Sequence, residues 1–276
     1  LMREESIVRK ILRIIALILV SIIFLGPFLW MVFTSFKPLA EALRLPPTFL
    51  PETWMAENYV DAWKSGPFLH YTKNSLIVTL SIVVLQLLTI IPASYAFAKM
   101  DFKGKKILFG LILVTMMIPA QLIFLPVYLM FSKANMINTY WSLILPWASS
   151  AFGIFLLRQR FMQVPDEIIE AAVLDNTPPW KIIFKIMLPQ ARGTVITIAL
   201  LNFISTWNNY FWPLVMTSND DVRTLPLGVS MLKSTLDGVH WNTVMAGNVI
   251  LILPIVIIYL FAQREIIKAF TYSGIK

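Results

Sequence analysis

Residues 74–98 read NSLIVTLSIVVLQLLTIIPASYAFA, twenty-five positions without an acidic, basic or histidine side chain. A helix crosses a hydrocarbon layer about 30 Å thick in roughly 20 residues, so a run of this length spans a bilayer. Similar runs lie at about 14–36, 107–131, 140–157, 193–217 and 241–263, and none of them carries Asp, Glu, Lys, Arg or His. The composition agrees: 58% of residues are apolar and 14% charged, against about 25% charged in a soluble domain. The sequence therefore predicts an all-α integral membrane protein with six transmembrane helices. The first run is too long for the apolar part of a secretory signal and lacks a small-residue cleavage site, so it is expected to stay as a span.

Placing both ends of the chain on one side gives that side sixteen of the 23 Lys and Arg residues, among them Arg9, Lys99, Arg158, Arg160 and Arg192. The positive-inside rule then puts both termini in the cytoplasm. The formal charge of +8 is distributed between apolar runs, which fits membrane orientation and anionic lipid better than nucleic acid. No cysteine is present and the two histidines, His70 and His240, are far apart, so no metal site is expected. Every expected span contains proline, at Pro27, Pro92, Pro119, Pro126, Pro146, Pro213 or Pro254. Such residues kink helices and suit a bundle that rearranges.

Charge-free spans argue against a proton- or sodium-coupled carrier, which usually holds acids or bases within the membrane. The chain also lacks a phosphate-binding G-x-x-x-x-G-K-[ST] loop. Energy for uphill transport has to come from another protein, and no enzymatic activity is expected of this one. The internal stretch at about 158–192 is far longer than the 2–8 residues that usually join neighbouring helices. Pro165-Asp166-Glu167 opens a helix with acids in its first turn. Ile168, Ile169, Ala172 and Val173 give it an apolar face, and Asp175-Asn176 ends it. Thr177-Pro178 restarts a second helix as cap and first residue, and Leu188-Pro189 closes the unit. By periodicity alone the pair is either a rigid knob on the cytoplasmic face or a helix hairpin lying on lipid.

The run Glu170-Ala171-Ala172-Val173-Leu174-Asp175-Asn176 leading to Ile186-Met187-Leu188-Pro189 resembles the E-A-A-x-x-x-G…I-x-L-P loop of ATP-binding-cassette importer permeases. The region from Pro47 to Ser75 is similar to the first external region of maltose-type sugar permeases, with Glu57-Asn58-Tyr59 at its centre. Trp207-Asn208, Arg223 to Gly228, Gln263-Arg264 and Thr271 to Lys276 match that group too. The arrangement resembles the second, MalG-like permease of carbohydrate importers. Asn176 stands where that family usually has glycine, and Pro178-Pro179 is unusual.

The resemblance implies the type I importer permease fold, a single domain over residues 1–276 with a coupling loop at about 161–190. It implies a prokaryotic cytoplasmic (inner) membrane location. Implied partners are a second homologous permease, two ATPase subunits that carry the ATP and magnesium, an extracytoplasmic solute-binding protein and lipid; this chain holds no cofactor. Glu170, Ala171, Ala172, Asp175, Asn176, Leu188 and Pro189 would meet the ATPase, with the tail from Thr271 reaching the same subunits. The external stretch at about 218–240 would meet the binding protein. Asn202, Trp207, Asn208, Asn209 and Tyr210 are candidates for the solute path, since amides and aromatic faces suit uncharged hydroxylated ligands. The expected cargo is a sugar or oligosaccharide. Alternatives are a polyol, a glycerol phosphate diester or a uronate oligomer, and, from other classes, an ion-coupled carrier or a non-transporting scaffold.

Overall fold

The computed structural model describes residues 7–233 and 238–271, with side chains from 9 to 264 within those limits. Arg3, the loop residues 234–237 and the tail past Thr271 lie outside the described residues. Helices account for all the regular structure among the described residues. Four are long and apolar enough to cross a membrane: α1 (Ile7–Ser35), α4 (Phe68–Lys99), the broken helix Tyr140–Met162 and α13 (Trp241–Thr271). Two further helix pairs pass the same test only when joined across a sharp bend, so four to six candidate spans are present.

Two of the expected runs are interrupted. The run at 107–131 is not one helix but α5 (Lys105–Thr115) and α6 (Ala120–Lys133), set at 96°. Pro119 caps α6 with an extended backbone; it has no N–H to continue α5, and its ring forces the preceding residue out of the helical region. The run at 193–217 likewise ends early. Helix α11 (Arg192–Trp207) stops before the asparagines, and a separate short helix, α12 (Phe211–Met216), follows. Pro213 cannot donate back to Asn209, and the asparagine side chains take local bonds instead. Asn208 Nδ2 donates to the Ile204 carbonyl at 3.0 Å, and Asn209 Oδ1 accepts from the Trp212 N–H at 3.2 Å.

Contacts group the chain into two compact units. One comprises residues 1–69 and 228–253. Within it α1 exposes its apolar side chains along most of its length, as a helix facing lipid or another subunit does. Its C-terminal carbonyls have no intrahelical donors, and α3 (Glu57–Lys64) supplies them. The buried Asn58 donates to the Ser35 and Lys37 carbonyls at 2.8 and 2.9 Å and accepts from Asn242 at 2.9 Å. The Ser35 and Tyr59 hydroxyls share a bond of 2.6 Å. Nearby, α2 (Leu39–Ala42) carries the buried Glu41.

The second unit comprises residues 70–227 and 254–276. Its axis is α4, where Ser75, Thr79, Gln86 and Ser94 are buried on one face with Ile82 and Ile90 between them, the three-to-four spacing of a helical stripe. The stripe faces Tyr140–Met162, which is broken at Pro146 by a 3-10 turn (Leu145–Trp147) between α7 (Tyr140–Ile144) and α8 (Ala151–Met162). A break frees carbonyls that water cannot reach in a membrane. Gln86 donates to Trp147 O at 2.8 Å and Thr89 to Ala148 O at 3.1 Å, and Ser94 bonds Ile154 O at 3.1 Å. Gly153 allows the close approach: a Cβ there would lie 2.4 Å from Ile90 Cδ1.

Candidate functional site

Two regions of the second unit carry the predicted site residues. The first is the knob. Helix α9 (Asp166–Leu174) begins with Asp166 and Glu167 in its first turn. Asn176 adopts the left-handed conformation (φ 52°). Its N–H bonds Val173 O at 2.9 Å, and the Thr177 N–H bonds Ala172 O at 2.9 Å, the paired closure of a Schellman cap. The restart sits one residue later than the sequence predicts. Pro178 is the extended cap and Pro179 the first residue of α10 (Pro179–Gln190), while Thr177 belongs to the preceding cap. Helix α10 widens into a π-turn over Ile182–Met187. Pro189 explains it, because a proline can neither donate to Lys185 nor fit against its carbonyl in α geometry. A bend of 85° then leads into α11.

The knob is fastened to the unit by apolar packing and by cations. Ala172, Ile182, Met187 and Ala191 share one buried cluster with Tyr95 and Phe97 of α4 and Leu157 and Phe161 of α8. Lys99 Nζ bonds the Val164 carbonyl at 2.6 Å and Asp166 at 2.5 Å. Arg160 reaches Gln190 O through Nε and a terminal nitrogen at 3.2 and 3.0 Å. Arg158 donates to Phe97 O at 3.0 Å and lies over the Phe109 ring, 4.1 Å from its centroid. These cations, which enter the sequence reading only as orientation charges, hold loop and helix-end carbonyls.

On the outer surface the predicted residues separate. Glu170, Ala171, Asp175, Asn176 and Pro189 are exposed and Leu188 is half-buried. Ala172 is turned inward, into the cluster just described. Beside the exposed set lie Val173, Leu174, Trp180 and Phe184, each more exposed than buried, with Leu174 at 83%. Trp180 and Phe184 belong to the second helix of the knob, and the structure leaves both uncovered.

The second region is a cavity of about 300 Å³ where α4, α7, the end of α11 and α12 meet. Asn208, Asn209 and Tyr210 line it, together with Ser75, Thr79, Trp147, Thr206, Trp212 and Thr224. Trp207 is buried and stacked on Phe203, with ring centroids 5.6 Å apart. Asn202 is half-buried and its Nδ2 has no hydrogen-bond partner. Neither residue lines this cavity. Thr79, Trp147 and Thr224 are not picked out by sequence reasoning, because nothing in the order of residues says which polar groups the bend at 208–210 brings together.

A separate polar network fixes the loop after α12. Asn74 Nδ2 donates to the Asp221 and Arg223 carbonyls at 3.1 and 2.9 Å, and its Oδ1 accepts from the Tyr140 hydroxyl at 2.6 Å. The Tyr71 hydroxyl bonds Asp220 at 2.7 Å, and Arg223 pairs with the same carboxylate. Loop residues 218–225 are thereby held against the start of α4.

Comparison with known proteins agrees with this architecture. The family model described as "Binding-protein-dependent transport system inner membrane component" matches residues 87–271. The arabinooligosaccharides transport system permease protein AraQ of Halalkalibacterium halodurans is 34% identical over 277 residues, covering 99% of each chain. The sn-glycerol-3-phosphate transport system permease protein UgpE of Pectobacterium atrosepticum is 30% identical, covering 84% of this chain and 85% of its own. Among solved structures, a chain of a bacterial ABC transporter involved in the import of the acidic polysaccharide alginate superposes with a TM-score of 0.80. It is 26% identical, covering 95% of this chain and 99% of that one. With the family model spanning most of the chain and relatives matching nearly end to end, this chain belongs to the family of binding-protein-dependent transport system inner membrane components.

Proposed function

We propose that the chain is one permease of an ATP-driven importer of sugars or oligosaccharides, paired with a second permease and worked by two ATPase subunits. The bent pair α5 and α6 then counts as one span and α11 with α12 as another, α10 staying in the knob, which gives six with both termini in the cytoplasm. The observation that carries the reading is the knob: a firmly fastened element that leaves Glu170, Val173, Leu174, Trp180 and Phe184 uncovered. An apolar patch rimmed by polar residues suits a protein partner. Its attachment to α4 and α8 suits the transfer of movement into the membrane. Glu170, Ala171, Asp175, Asn176, Leu188 and Pro189 form the face offered to the ATPase, while Ala172 supports it from inside. Closure of the ATPase subunits around ATP draws the knob inward and turns the bundle from inward-open to outward-open. The loop at 218–225 lies on the side where the solute-binding protein delivers cargo, and Asn208, Asn209 and Tyr210 lie on the solute path.

Carbohydrate is the favoured cargo because relatives on both sides of the comparison are named for it. The charge-free spans disfavour an ion-coupled carrier. The test is affinity purification of the tagged full-length chain from its native membrane in mild detergent. Recovery of a homologous permease and an ATPase is expected. Recovery of the chain alone, active in gradient-driven uptake, would overturn the proposal.

A further inference from the structure

The cavity beside α12 holds polar groups that the fold itself leaves unused. Thr224 is 4% exposed and lines the cavity, and its Oγ1 has no hydrogen-bond partner. Trp147 lines it too, and its buried indole N–H is likewise without an acceptor. An unpartnered buried donor or acceptor is unfavourable, and native structures keep few of them. Two in one cavity match a ligand that supplies both an acceptor and a donor. The neighbouring wall is aromatic: Trp212 stands edge-on to Trp147 at 5.7 Å, its own indole N–H already donated to the Ser142 carbonyl. Trp212 therefore offers a ring face and no donor. Thr206, Asn208 and Asn209 complete the polar side.

None of the side chains lining the cavity carries a formal charge. A carboxylate or phosphate placed there would lose its hydration without gaining a cation, which is strongly unfavourable. The nearby Arg223 already pairs with Asp220. A volume of about 300 Å³ lies at the small end of ligand sites and suits a single ring unit better than an extended chain.

We infer that this cavity is a subsite for one neutral, hydroxylated ring of the transported solute, with Thr224 and Trp147 as its specificity-determining contacts. It discriminates against carboxylated and phosphorylated units. The inference rests on the importer reading above and narrows it to uncharged sugar.

The test is ATP-dependent uptake by the complete importer, with its binding protein, reconstituted in liposomes. The probes are neutral arabinotriose and maltotriose and the anions trigalacturonate and sn-glycerol-3-phosphate. The unaltered importer should take up a neutral probe in preference to either anion. Thr224→Val should raise the concentration for half-maximal uptake of that neutral probe about three- to tenfold, the effect of one lost hydrogen bond, and Thr224→Ser should restore it. Trp147→Phe keeps the aromatic corner and removes only the N–H. It should shift half-saturation in the same direction, and it decides the matter if the valine variant does not assemble. An anion taken up as well as the neutral probes, or half-saturation unmoved in the assembled variants, overturns the subsite and leaves the importer standing. ATP-dependent uptake of none of the probes contradicts the sugar-importer reading itself.

Discussion

The Nζ of Lys99, at the last turn of α4, donates to the main-chain carbonyl of Val164 at 2.6 Å, directly before the knob begins. The Lys99 side chain is 6% exposed, whereas Asp166, its second partner, is 75% exposed. The two halves of the contact therefore differ in weight. A charged donor on a buried carbonyl contributes about 1.5–3 kcal/mol, while an ion pair open to solvent contributes about 0–1 kcal/mol. Lys99→Met should lower the unfolding temperature of the purified protein clearly and reduce uptake, whereas Asp166→Asn should do little. Equal effects of the two substitutions would show that the carbonyl bond is not what holds the knob.

Asn176 tests the knob's own geometry. Its positive φ of 52° is free for glycine and strained for most other residues. Asn176→Gly should leave stability within about 0.5 kcal/mol, since the cap bonds to Val173 and Ala172 are main-chain. Asn176→Val should cost about 1–2 kcal/mol and loosen the turn between α9 and α10. Thermal unfolding of the two variants, with protease sensitivity at the 175–179 turn, measures the difference. A valine variant as stable as the glycine one would contradict the left-handed assignment.

Glu41 gives the first unit a pH dependence. Burial raises its carboxyl, but the Thr48 hydroxyl bond, the Glu52 N–H and the charge of Lys37 outweigh that and hold it below the ordinary carboxylate range. Thr48 donates at 2.7 Å and the Glu52 N–H at 3.1 and 3.2 Å to the two oxygens. A carboxyl whose folded pKa is depressed contributes its full stability above the ordinary value and loses it as pH falls through the folded value. The wild-type chain should therefore lose more unfolding temperature than Glu41→Gln between about pH 6 and pH 3. Parallel pH curves for the two proteins would show that the carboxylate is not bonded as described.

The helical class and most of the apolar runs were legible because a charge-free stretch of 25 residues has few other stable fates. The knob was legible too, through acids at its start, Asn176 at the first helix end and Leu188-Pro189 at its close. What could not be read was where proline breaks a helix and where it only bends one. Pro92 and Pro254 sit inside continuous helices, while Pro119 and Pro213 mark separations. At Pro146 the break is accommodated because Gln86 and Thr89 take the Trp147 and Ala148 carbonyls, and that is a tertiary fact. Ala172 shows the same limit. Its place in the E-A-A run marks it for the partner surface, yet the phase of α9 turns it onto Ile182 and Leu157. Thr224 and Trp147 reach the cavity from the loop after α12 and from the turn at Pro146, which are brought together only in the fold.

The most direct test of the central claim is Glu170→Lys in the complete importer reconstituted in liposomes, with ATP hydrolysis and solute uptake measured on the same vesicles. If the knob transmits the work of a partner ATPase, uptake per ATP hydrolysed should fall steeply while the chain stays in the membrane. Unchanged uptake per ATP would contradict the knob as the coupling element.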